Sequence, residues 1–210
     1  MKTLSAPMRD RWLALCARVG RVRNPLTLTS MLEVLYQNPP RAYHSLDHIA
    51  ACLAIFDTHR SLATNPDAVE FALWLHDCIY DPKAKDNESK SAAVARHMLR
   101  ELNAAATLQD QVESLIMATL HTRAPLTGDA ALLADIDLSI LGASPSDYAI
   151  YAAAIRAEYS FVPDEVYRPG RSAVLHAFLG RSHIFHTPHF QSSHDSRARA
   201  NLEAELLLLA

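Results

Sequence analysis

Apolar residues recur along this chain at intervals of three and four, with no sustained alternation of β-branched residues, and this pattern predicts helices throughout. Prolines and small capping residues mark where one helix ends and the next begins. A first helix is predicted over residues 7–19 and a second over 29–37, stopped by Pro39 and Pro40. A third starts at the Tyr43-His44 turn and runs to about residue 59, carrying His48, Cys52 and Ile55 on one face. A fourth extends from Asp67 to His76-Asp77, and segments 87–102, 108–121 and 129–141 continue the series. Ser144 or Ser146 opens the next, which ends near Phe161, and Pro163 suits the first turn of another through Leu179. A last amphipathic helix over 193–209 has Leu202, Leu206 and Leu209 on one stripe.

Composition agrees with an all-α chain, since only 5 of 210 residues are glycine and half are hydrophobic. That length suffices for one domain with a substantial core, and no repeat or linker divides it, so residues 1–210 read as a single domain. A net charge of −3 and a pI near 6.4 give no electrostatic footprint for a nucleic acid polymer or an anionic membrane. Cys16, Cys52 and Cys78 are scattered among apolar residues and read as reduced core thiols of a cytosolic protein. The N-terminus lacks an apolar signal core, and no stretch approaches the roughly eighteen apolar residues that span a bilayer. The expectation is a soluble, cytoplasmic protein.

Candidate chemistry is concentrated in two short segments, Tyr43-His44-Ser45-Leu46-Asp47-His48 and Leu73-Trp74-Leu75-His76-Asp77. Residues four apart share a helix face, so His44 and His48 are expected to point into one cleft. His76 and Asp77 are adjacent, so both reach one ion only where the helix ends, and Tyr80-Asp81-Pro82 supplies such an end. Imidazole nitrogen mixed with carboxylate oxygen suits Mn, Fe, Zn, Ni or Co and leaves positions open for water and substrate. Downstream, Asp135 and Asp137 interrupt the apolar run 132–141. A buried charge needs a partner, and a metal ion is one.

The order His, His-Asp, Asp resembles the HD-domain superfamily of metal-dependent phosphohydrolases. Tyr43-His44-Ser45 with His48, and Ile136-Asp137-Leu138-Ser139, look like the corresponding segments of cyclic-nucleotide phosphodiesterases. With Asp86-Asn87-Glu88 and Ala118-Thr119-Leu120-His121, the pattern is most similar to a bacterial branch known as predicted metal-dependent phosphohydrolases. The resemblance spans roughly residues 10–205 and implies an all-α, single-domain helical bundle of the HD-domain and phosphodiesterase-like type. It implies His48, His76, Asp77 and Asp137 as metal ligands, with Asp135 the rival to Asp137. His44 falls where the phosphodiesterases keep a proton donor for the leaving group. The cofactor implied is a divalent transition metal (Mn, Fe, Ni, Co or Zn), with room for a second ion such as Mg, and a homodimer is compatible with it.

The implied activity is hydrolysis of a small phosphate ester, a nucleotide or related compound, by a metal-activated water. Loop 79–90 follows the His-Asp pair directly and is expected to face substrate. There Asp86 or Glu88 would accept a proton from the water, and Lys83 and Lys85 would neutralise phosphate charge. His121 is a substrate-side candidate, although a position at a helix end suits it equally as a capping cation. Two alternatives are carried: a non-catalytic nucleotide-binding module of the same type, and a di-iron oxygenase that would recruit His97 and His121 as further ligands.

Overall fold

The computed structural model describes residues 3–21, 25–37, 41–122 and 125–210. Among these, ten α-helices and no strand are formed. In chain order they are α1 (Ala6–Val19), α2 (Pro25–Gln37), α3 (Leu46–His59), α4 (Pro66–Leu75) and α5 (Asn87–Glu101). There follow α6 (Ala106–Met117), α7 (Gly128–Leu138), α8 (Pro145–Glu158), α9 (Asp164–Leu179) and α10 (Pro188–Leu209). The all-α expectation therefore holds. No helix among the described residues is long and apolar enough to cross a membrane.

Three of the helices begin with the same local device. Asn65, Ser144 and Thr187 each accept a backbone N–H of the first turn, and each is followed by a proline at the first helical position. This corrects the expected start of the last helix. The helix opens at Pro188, since a proline at that position lacks only an N–H that would go unpaired anyway. The second helix also starts earlier than the apolar pattern indicates, at Pro25, and the stop assigned to Pro39 and Pro40 lies outside the described residues. Two predicted helices end sooner, at Met117 and Leu138, each relaxing into a short 3-10 turn.

Helix α4 is the centre of the bundle. Residues 68–75 are all buried, and the helix packs against α1, α3, α5, α6 and α7. A helix apolar on every side can exist only in such a position. Trp12 of α1 meets Phe71 and Trp74 of α4 with ring centroids 5.3 and 5.5 Å apart, an aromatic cluster that joins the N-terminal helix to the core. The one charge in this stretch, Glu70, is 2% exposed and is neutralised by three guanidinium groups. Arg11 Nε, Arg18 Nη2 and Arg60 Nη1 reach its carboxylate at 2.8, 3.1 and 2.5 Å. These pairs clip α1 and the end of α3 to α4 and fix the depth at which its C-terminus, with His76 and Asp77, emerges.

The turn after α7 and helix α10 form another tight junction. A Cβ on Gly142 would lie 2.7 Å from the Cβ of His194 and 2.9 Å from its carbonyl oxygen, so the two backbones touch only because no side chain intervenes. Asn201, itself buried, donates to the carbonyls of Leu141 and Ala143 at the same junction. Gly142→Ala is expected to destabilise the protein by about 1–3 kcal/mol through forced overpacking. Gly170→Ala, inside α9 with open space where the Cβ would go, is expected to stabilise it by about 0.5–1 kcal/mol. Urea unfolding of the two variants checks both signs.

Candidate metal centre

Four side chains from three helices converge at the C-terminal end of α4. His48 comes from the first turn of α3, whose start is set by the Ser45 hydroxyl accepting the Asp47 N–H. His76 and Asp77 follow the last residue of α4, and Asp137 is the penultimate residue of α7. The helix end that lets adjacent residues face one point is made earlier than Tyr80-Asp81-Pro82, by Arg41. This guanidinium donates to the carbonyls of Asp77 and Cys78 just past α4, and to those of Leu35 and His44. Carbonyls freed at a helix end need such partners. The rings of Tyr36 and Tyr80 lie 5.2 and 5.8 Å from the same guanidinium.

The donor atoms have the spacing of a coordination shell. His48 Nε2 lies 3.3 Å from His76 Nε2, 3.6 Å from Asp77 Oδ2 and 3.1 Å from Asp137 Oδ1. His76 Nε2 lies 3.1 Å from Asp77 Oδ2 and 3.4 Å from Asp137 Oδ1. An ion held at ~2.1 Å by each donor needs them about 3.0 Å apart at right angles and about 3.4 Å apart in a tetrahedron. The four residues therefore fit a transition-metal ion, and a buried group of this kind could hold one. His76 Nδ1 is 3.0 Å from the Leu73 carbonyl, an acceptor that makes Nδ1–H the donor and turns Nε2 to the cluster.

Electrostatics express the same demand for positive charge. Burial alone would push the His76 imidazole down, but the Asp77 and Asp137 carboxylates outweigh it and hold it well above its ordinary value. For the two carboxylates burial acts upward, and His76 leads the opposing contacts that bring both below the usual range. Cys52 and Cys78 lie nearby, and burial raises both thiols, Cys78 to about 12.

His44 does not share a helix face with His48. Helix α3 starts only at Leu46, so His44 sits in the preceding turn, its ring 6.2 Å from that of His48 and stacked on Tyr80 at 4.0 Å. Its Nδ1 is 2.6 Å from Glu158 Oε2 at the end of α8. The other oxygen of Glu158 accepts the backbone N–H groups of Ala42, Tyr43 and His44 at 3.0, 2.8 and 3.0 Å. Burial would raise the Glu158 carboxyl, but the His44 hydrogen bond and charge outweigh it and lower it. Sequence reasoning missed Glu158 altogether.

Of the remaining candidates, His121 joins the cluster and several others do not. His121 adopts a left-handed backbone conformation, and its Nε2 lies 2.9 Å from Asp137 Oδ2. Glu88 lines a cleft beside His44, whereas Asp86 is exposed and paired with Lys90 at 2.9 Å. Lys83 and Lys85 are exposed and line neither cavity beside the cluster, and the Lys83 ammonium sits 4.6 Å over the Phe161 ring. His97 is exposed on α5, so of the pair that a second ion would need only His121 lies at the cluster. Asp135 faces away. Its carboxylate accepts the His186 and Thr187 N–H groups and the Thr187 hydroxyl at 2.6, 2.7 and 2.6 Å, holding the start of α10.

Two cavities lie at the cluster, the first lined by two of its donors and the second touching it through His121, which meets Asp137. One of about 480 Å³ is lined by His48, Asp137 and Tyr43, and another of about 780 Å³ by His44, His121 and Glu88. Tyr151 lines both.

Asp135 and Asp137 should separate cleanly on substitution. Asp135→Asn is expected to lower stability by about 2 kcal/mol, because its amide nitrogen faces donors it cannot accept from, while metal uptake persists. Asp137→Asn is expected to abolish metal uptake with little loss of stability. Urea unfolding together with elemental analysis of both purified variants checks this. Compared with family models, with curated proteins and with solved structures, the chain matches none.

Proposed function

We propose that this protein is a metal-dependent phosphohydrolase of the HD-domain type that acts on a small phosphate ester. The observation that carries the reading is the convergence of His48, His76, Asp77 and Asp137 at ligand spacing, next to an imidazole that is not itself among those donors. A divalent ion bound there would supply Lewis acidity toward a phosphoryl oxygen and acidify a water. The other steps belong to the chain. Glu158 accepts from Nδ1 of His44, which leaves Nε2 as the free end of the ring and fixes the ring's orientation. Protonated His44 then donates from Nε2 to the departing alcohol oxygen, and the Tyr80 ring stacked on it restricts its orientation. His121, hydrogen-bonded to Asp137, orients that carboxylate as an outer partner. Glu88, in the first turn of α5 and in the same cleft as His44, is the residue of segment 79–90 best placed to accept a proton from water.

The metal-binding residues and the proton donor should fail differently. Asp77→Ala is expected to lose both activity and bound metal. His44→Ala and Glu158→Gln are expected to keep the metal and to lose about 10²–10⁴-fold in rate for esters of aliphatic alcohols, and much less for esters of acidic phenols, which depart without a proton. Metal content per chain and rates over a leaving-group series check both statements. Loss of the metal in His44→Ala would remove the proton-donor role.

A further inference from the structure

We propose that the alcohol released from the phosphate ester is an apolar one, bearing an aryl or alkyl group, and is not a nucleoside. The inference rests on the phosphohydrolase reading, because the leaving group must lie where His44 can protonate its oxygen, and His44 lines the cavity of about 780 Å³. A cavity of that size holds a drug-sized molecule.

Its walls are aromatic and aliphatic. Tyr80, Tyr151, Tyr159, Tyr167 and Phe178 contribute rings, and Leu120, Ile155, Val162, Val166 and Val174 contribute branched side chains. Three of these stand open to solvent, with Val166 63%, Val174 47% and Leu120 43% exposed. Large apolar side chains left uncovered around a cleft mark a binding surface.

Several of its polar groups are engaged within the protein. Arg171 is held by Glu205 through two contacts of 2.8 and 3.0 Å, so its charge is neutralised before any ligand arrives. Thr119 Oγ1 donates to the Ile116 carbonyl at 2.7 Å, and Arg181 donates to the His121 carbonyl at 2.6 Å. Among the described lining residues there is no Asn or Gln, and Glu88 is the one carboxylate. A nucleoside would bring ribose hydroxyls and a base edge into this cleft, and each polar group left unpaired on burial costs about 1–3 kcal/mol. An apolar group loses nothing of that kind and gains by leaving water.

The test compares 2-phenylethyl phosphate with 5′-AMP on the metal-loaded enzyme. Both are monoesters of primary alcohols, so differences report binding rather than leaving-group chemistry. The expected result is a kcat/KM at least ~10-fold higher for 2-phenylethyl phosphate. In Val166→Asp, the ratio of kcat/KM for 2-phenylethyl phosphate to that for methyl phosphate should fall ~10-fold. Calorimetry on the metal-free protein gives a readout independent of turnover. There 3-phenylpropylphosphonate, the isostere of the first ester, should bind at least ~10-fold tighter than 5′-AMP. Equal or better turnover and binding of 5′-AMP overturns the inference and leaves the phosphohydrolase reading standing. Hydrolysis of none of the esters sinks the phosphohydrolase reading, and calorimetry then decides alone: preference for the phosphonate upholds an apolar ligand site, and its absence overturns it.

Discussion

The structure turns on two carboxylates, Asp77 and Asp137, held beside two imidazoles at the buried end of α4. Like charges this close in a poorly solvated place are unstable unless positive charge is supplied. In the protein alone the two carboxylates hold the His76 imidazole well above its ordinary value, against the effect of burial. A proton, however, satisfies one nitrogen at a time, whereas five of the donor–donor distances lie between 3.1 and 3.6 Å. Radial convergence of this kind is what a single multivalent cation satisfies, since it contacts every donor at once.

Holding such a cluster requires backbone geometry that regular helices do not provide, and two side chains supply it. Arg41 takes carbonyls at the end of α4 and in the turn before α3, so the two segments that carry His76, Asp77 and His44 are tied through one guanidinium. Glu158 does the converse for N–H groups, gathering three of them from the turn at residues 42–44. Both are partly buried charges whose partners are mainly peptide dipoles, and a lone apolar substitute at either position would leave several backbone groups unpaired at once. The three arginines on Glu70 act one layer further out, where they fix the height of α4. The geometry of the cluster is therefore over-determined by polar contacts at the helix ends, while the apolar core sets only where those ends meet.

This division explains what the sequence disclosed. The helices were legible because the period of their apolar faces is a local property, and the prolines that cap three of them sit next to the residues they affect. His48, His76, Asp77 and Asp137 were legible because their types and order are unusual in apolar surroundings. Asp135 and Asp137 could not be separated by composition alone. Two residues apart on a helix, they point in roughly opposite directions, and only the fold says which direction faces α3 and α4. Glu158 was illegible for another reason: three of its four contacts are to backbone N–H groups more than a hundred residues away, and every residue except proline has one. His44 was misplaced by an i, i+4 argument that assumed a helix where the chain is still in a turn. Lys83 and Lys85 carried the right charge for phosphate, but their positions in an exposed loop leave them in solvent.

That displacement of His44 has a chemical consequence. On the same helix face as His48 it would be a further nitrogen ligand, and a lone pair bound to metal cannot carry a proton. One turn earlier in the chain its Nδ1 is committed to a carboxylate and its ring to the larger cavity. Under the proposed mechanism, the proton donor is thereby kept apart from the metal-binding groups, although the imidazoles are 6.2 Å from one another. The separation of acid from ligands, like the orientation of Asp137 against Asp135, comes down to where a helix begins or which way it faces. Such small displacements decide which of these equivalent side chains can face a shared ion, which is left outside it and which holds the scaffold.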